Sequence, residues 1–135
     1  MARLELEAVD DNLNKVTGFL EEFLESMDCP MKTVMQTTVA LEEMFINICH
    51  YAYAPGTGDA VIVLEKETDS SVMITLMDKG VHYDPLEKED PDVTLSADKR
   101  PIGGLGIYMV KKSMDEVSYE YKDNTNIFTM IKRWG

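Results

Sequence analysis

Two hairpin-like pairs of period-two runs constrain this chain more than any other feature. Residues 59–66 (DAVIVLEK) and 71–78 (SVMITLMD) are rich in β-formers and meet around a turn at Asp69-Ser70-Ser71. Residues 116–122 and 125–133 repeat the arrangement around Asp123-Asn124. Connections this short join antiparallel neighbours, because parallel strands need a long crossover. Within the first pair, Val61 and Val63 point one way and Ile62 and Leu64 the other, as the two faces of a strand require. Residues 3–9 (RLELEAV) also alternate, with Leu4, Leu6 and Ala8 between charged neighbours, and read as a strand with one buried face.

The remaining periodic segments are helical. Asp10-Asp11-Asn12 offer N-cap oxygens, and Leu13, Val16, Phe19, Leu20, Phe23, Leu24 and Met27 follow at helical spacing. Asp28-Cys29-Pro30 ends that helix, since the residue before a proline avoids the helical region. A second helix is expected from about Met31 to Ala52. Its apolar positions (Val34, Met35, Thr38, Val39, Leu41, Phe45, Ile48) cover a wide arc, which predicts the more buried helix. Ala54-Pro55-Gly56-Thr57-Gly58 is a loop by composition. Residues 85–102 (PLEKEDPDVTLSADKRPI) show no periodicity and read as a lid or binding loop. Gly103-Gly104-Leu105-Gly106 then opens a third helix carrying Ile107, Met109, Val110 and Met114.

The order is β-α-α-β-β-lid-α-β-β. It predicts an α+β two-layer sandwich, a mixed, mostly antiparallel sheet with helices on one face. A length of 135 residues suits one domain spanning 1–135, and 44% apolar content is enough for a core. The apolar runs are far shorter than a membrane span, and the N-terminus lacks the long apolar segment of a secretory signal. A cytoplasmic protein with no membrane contact is therefore expected. A net charge of −12 repels phosphate backbones and argues against direct nucleic-acid binding. It leaves room for a nucleotide, which a local nest of backbone N–H groups can hold. Cys29 and Cys49 read as half-buried thiols, and His50 and His82 have no zinc-ligand spacing to either.

Three short constellations could carry chemistry. Glu43 and Asn47 are one helical turn apart on one face. An Asn oxygen suits a hard cation such as Mg2+, and a carboxylate beside it could take a proton from a hydroxyl or a water. Alone, the pair reads sooner as a solvated Glu and a tolerated Asn, because Glu-x-x-x-Asn is a common spacing. Asp78-Lys79-Gly80 ends a strand with a carboxylate and a glycine. It reads either as a turn or as the floor of a ligand site that leads through Tyr83-Asp84-Pro85 into the lid. Gly103-Gly104-Leu105-Gly106 sits at a helix N-terminus, where N–H groups and the dipole favour phosphate. It lacks the Gly-Lys-Ser/Thr of a P-loop and the spacing of a dinucleotide fingerprint.

Taken in this order, the three motifs resemble the GHKL ATPase family with its Bergerat ATP-binding fold. "LEEMFINICHYAYAPG", "MDKGVHYDP", "IGGLGIYMVKKSMDEVSYEY" and "NIFTMIKRW" look like the anti-sigma-factor serine/threonine kinases, the RsbW/SpoIIAB-like group, over nearly the whole chain. The resemblance implies ATP and Mg2+ as ligands. It implies Asn47 on the metal, Glu43 as the catalytic carboxylate, Asp78 on the adenine amino group, and Gly80 where the base approaches the chain. Gly103, Gly104, Leu105 and Gly106 would cradle phosphates. His50, Tyr51 and the lid cations Lys99 or Arg100 would lie near the ligand without an assigned role, and His82 is left without one. It further implies transcription regulation: phosphorylation of a small STAS-type anti-anti-sigma factor and binding of a sigma factor. Dimers are common in the group, and strand 3–9 could pair across a two-fold edge in a homodimer. A nucleotide-gated binding module with little or no transfer is the alternative. The first helix carries no histidine, which disfavours a histidine kinase, and 135 residues leave no room for the further domains of Hsp90-, MutL- or gyrase-like members.

Overall fold

The computed structural model describes residues 1–87 and 105–135. Among these, the strands are β1 (Ala2–Glu7), β2 (Asp59–Thr68), β3 (Ser71–Asp78), β4 (Glu116–Lys122) and β5 (Thr125–Arg133), and the α-helices are α1 (Leu13–Ser26), α2 (Met31–Asn47) and α3 (Leu105–Ser113). They form one five-stranded sheet in the order β1-β2-β3-β5-β4. Every ladder is antiparallel. The two expected hairpins, β2–β3 and β4–β5, are both present, and β5 inserts beside β3. The α+β two-layer architecture expected from the run order is borne out. Among the described residues no helix is long and apolar enough to cross a membrane.

Strand periodicity decides what faces the helices. Ala60, Ile62 and Leu64 of β2, Val72, Ile74 and Leu76 of β3, and Phe128 and Met130 of β5 are buried. Counting on by two from Leu76 reaches Asp78, and back by two from Phe128 reaches Asn126. Both polar residues therefore lie on the core-facing side, directly opposite each other in the ladder. From above, α1 contributes Val16, Leu20 and Leu24, and α2 contributes Val34, Leu41, Met44 and Phe45. The other sheet face keeps half-buried Val61, Met73, Met77 and Ile127, while the edge strands carry exposed Arg3, Glu5, Glu116 and Glu120 there. Charge on edges limits further strand pairing.

Several local expectations need correction. The first strand ends at Glu7 rather than residue 9, and Ala8 N–H turns instead to the Gly58 carbonyl at 2.8 Å. No side chain caps α1; Asn12 Nδ2 reaches back to the Glu7 carbonyl at 2.8 Å, and residues 10–12 form a 3-10 turn. The second helix is α-helical only to Asn47, and Ile48–Ala52 continues as a π turn. Met35 and Val39, counted among its apolar positions, are 63% and 64% exposed. They lie on the side of α2 away from the arc of Val34, Leu41 and Phe45, so a wide apolar arc overstated what the sheet can cover.

Candidate functional site

The site is built where α2, the end of β3 and the start of α3 converge. A cavity of about 660 Å³ opens there, lined among others by Glu43, Asn47, Tyr51, Asp78 and Gly106. Glu43 and Asn47 reach it from successive turns of α2. The π turn begins immediately after Asn47, and such irregular turns are frequent at functional sites. Among the described residues neither side chain has a hydrogen-bond or ion-pair partner.

Asp78 is the buried acid of the site, only 8% exposed. Its Oδ1 accepts from Gly80 N–H and from Asn126 Nδ2, each at 3.0 Å. Burial pushes its carboxyl above the ordinary carboxylate range, and these two bonds partly pull it back. Tyr53 braces the neighbouring backbone: its hydroxyl donates to the Asp59 carbonyl at 2.6 Å and accepts from Lys79 N–H at 2.8 Å.

The glycines have different surroundings. Gly80 packs against the end of the π turn, where a Cβ would overlap the Ala52 carbonyl, and Val81 N–H donates to that same carbonyl at 2.8 Å. Its missing side chain thus serves a backbone seam, which is a different reason from the close approach of a base. Gly106 lies against the Glu43 carboxylate, and a Cβ there would occupy the carboxylate's position. That glycine lets α3 start directly beside Glu43. Leu105 opens α3. Gly103, Gly104, Lys99 and Arg100 fall outside the described residues.

His50 is turned away from the cavity, with Nε2 at 3.0 and 3.1 Å from the two Asp10 carboxylate oxygens. His82 lines the cavity and stacks on Tyr121, centroids 4.1 Å apart, and more distantly on Tyr119 at 6.1 Å. Sequence reasoning missed Asn126 and Tyr119, whose hydroxyl hydrogen-bonds Asn126 Oδ1. A signal existed: Asn is disfavoured in strands, and Asn126 sits in phase with the buried Phe128 and Met130.

The donor set fits a hard cation held jointly with a phosphate ligand. Among the described residues no cluster of three or more His, Cys, Asp or Glu could hold a metal alone. Mg2+ asks for few protein oxygens and takes the rest from water and phosphate, and Asn47 Oδ1 is such an oxygen.

Comparison with known proteins bears on the family and the fold. Serine/threonine-protein kinase BtrW of Bordetella bronchiseptica is 29% identical over 93 residues, a match spanning 69% of this chain and 66% of that relative. The chain thus spans just under two thirds of its length. The structure of the RsbU and RsbW domains of Rv1364c from Mycobacterium tuberculosis superposes with a TM-score of 0.66 at 16% identity. That match covers 98% of this chain and 32% of the other, and its identity supports likeness of fold alone. The resemblance to the RsbW-like kinases read from the motifs is thereby borne out. The family described as the histidine kinase-like ATPase domain matches residues 6–132, nearly the whole chain, and it is to this family that the protein belongs.

Proposed function

We propose that this chain is a cytoplasmic, ATP-dependent serine/threonine protein kinase that regulates a sigma factor by phosphorylating a small STAS-type anti-anti-sigma partner. The observation that carries the reading is the convergence in one cavity of a carboxylate, Glu43, and an amide one turn on, Asn47, neither with a partner among the described residues, and a buried acceptor, Asp78. A named serine/threonine kinase among its relatives supports the same reading.

In this scheme Asp78 accepts a hydrogen bond from the adenine amino group and fixes the base at the inner end of the cavity. The phosphates extend toward Asn47 and the N-terminus of α3, where N–H groups favour negative charge. Asn47 Oδ1 would hold Mg2+, which would supply neutralisation of phosphate charge there. Glu43 orients the partner's serine or threonine hydroxyl and takes its proton as the oxygen bonds to the γ-phosphorus and ADP leaves. Catalysis then rests on positioning and electrostatics more than on covalent chemistry at the protein.

A nucleotide-gated regulator with little turnover is the second reading. It is favoured by Glu43 packing against Gly106, which covers part of the carboxylate. Two measurements separate them. Mg-ATP at about 100-fold its Kd should stabilise the protein by roughly 2.7 kcal/mol in thermal melts under either reading. Labelled phosphate should reach a STAS partner only under the first. Glu43→Ala should keep nucleotide binding and lose transfer, and Asn47→Ala should lose the Mg2+-dependent part of the affinity. Unchanged transfer by Glu43→Ala removes Glu43 from its role.

A further inference from the structure

Asn126 makes four hydrogen bonds at the floor of the cavity. Its Nδ2 donates to Asp78 Oδ1 at 3.0 Å and to the Val81 carbonyl at 2.8 Å. Its Oδ1 accepts from Tyr83 N–H at 3.2 Å and from the Tyr119 hydroxyl. Two of these partners are backbone groups with no choice of role, since Val81 C=O can only accept and Tyr83 N–H can only donate. They settle which way the amide points, a matter often left open for an Asn. The atom turned to Asp78 is therefore an N–H donor. Asp78 Oδ1, already taking that donor and Gly80 N–H, has the place of an unprotonated oxygen. Asp78 Oδ2 has no partner among the described residues, in a side chain that lines the cavity.

We propose that Asn126 is a positioning residue that sets base selectivity: by engaging Asp78 Oδ1 it presents Oδ2 to the cavity as a hydrogen-bond acceptor, so that a purine with an amino group at C6 is chosen over one with a carbonyl there. This rests on the adenine-nucleotide reading above. An amino group satisfies the acceptor. A 6-oxo group sets an acceptor against the acceptor of a carboxylate that is 8% exposed, and sites that leave a buried polar group unpaired reject the mismatched analogue strongly.

The arrangement also makes selectivity depend on pH. A proton arriving at Asp78 goes to Oδ2, because Oδ1 is filled, and Oδ2 then becomes a donor suited to a carbonyl. Asn126 opposes that protonation, as the Gly80 N–H does, while burial promotes it. The other groups facing this region are Tyr53 and Tyr119, phenols held above their ordinary range by burial, together with Glu43, His82 and Tyr83 around the cavity, Asp84, and Lys79 next in the chain. The two nucleotides share their ribose and triphosphate and differ at the base, so a ratio of affinities isolates the contact with Asp78.

The test compares the Kd of Mg-ATP with that of Mg-ITP, whose base is a 6-oxopurine, between about pH 5.5 and about pH 8. The parent should prefer ATP by about tenfold or more at the upper end, with the ratio falling as pH drops. Asn126→Ala removes the donor to Asp78 without setting a second carboxylate beside it. It should move that fall upward by about one pH unit or more. Asn126→Ser serves as a second variant, with an upward shift of the same sign. Equal weakening of both nucleotides with an unmoved pH profile is what a merely structural Asn126 would give, and it overturns the proposal. ITP binding as tightly as ATP to the parent at the upper pH does the same without any variant. Loss of binding of both nucleotides to the parent overturns the adenine reading beneath it and takes this inference with it.

Discussion

Gly80→Ala distinguishes two reasons for a glycine after Asp78. The dihedral at Gly80 is not in the left-handed region, so space rather than φ is at stake. An added Cβ would overlap the carbonyl oxygen, carbonyl carbon and Cβ of Ala52. These are largely backbone atoms of the π turn and cannot rotate aside as a flexible side chain would. Relief requires the loop to move off the turn, which endangers the 2.8 Å bond from Val81 N–H to the Ala52 carbonyl. Overpacking costs about 1–3 kcal/mol, and a lost hydrogen bond adds about 1 kcal/mol. The stiffer unfolded chain of the alanine variant offsets about 0.4–1 kcal/mol. The net expectation is about 2–3 kcal/mol of destabilisation in the absence of any nucleotide. For a domain of this size that lowers Tm by roughly 6–12 °C. Urea and thermal unfolding of the free protein measure it directly. A variant that melts with the parent when free, yet binds Mg-ATP at least tenfold more weakly, would refute the seam and restore close approach of the base as the reason for Gly80.

Asp78→Asn should raise stability while weakening binding of ATP. The folded-state pKa of Asp78 lies above its unfolded value because of burial, so its ionised form is disfavoured by folding, and the penalty is present above the folded pKa and relieved as pH falls through it. The variant should melt above the parent at about pH 7.5, with the gap closing toward about pH 5; a pH-independent gap would show that desolvation of this carboxylate is not its cause. Phe45→Ala, at a side chain with 0% exposure in the last turn of α2, should cost about 3–5 kcal/mol in chemical denaturation. A loss below about 1 kcal/mol would mean that the α2–sheet contact is not the core of the domain.

Much of the architecture was legible because its signals are local. Period-two runs around polar turns identified both hairpins, and α1 followed from its heptad-like spacing of Leu13 to Leu24. The α2 stripe misled in part: Met35 and Val39 belong to the same apolar arc by composition, yet the sheet reaches only the side bearing Val34, Leu41 and Phe45. The Glu43–Asn47 pair and Asp78 were legible as candidates, since each has a local spacing with a chemical meaning. Asn126 and Tyr119 were not found, because their importance depends on a register that brings residue 126 opposite residue 78, across 48 positions of chain.

By itself, then, the sequence determined the element order, the mostly antiparallel character of the sheet and the three motifs that could meet a nucleotide, while the structure shows no parallel pair among the described strands. These rest on periodicity and on chemistry within a few residues, where short-range geometry dominates. Tertiary structure alone decided that Gly80 guards a contact with Ala52, that Gly106 sits against Glu43, and that Asp78 is held by Asn126. Each of these is a contact between distant segments, set by the register of β3 against β5 and the approach of α3 to α2. No local pattern encodes that register or that approach; both come from burying one continuous apolar face.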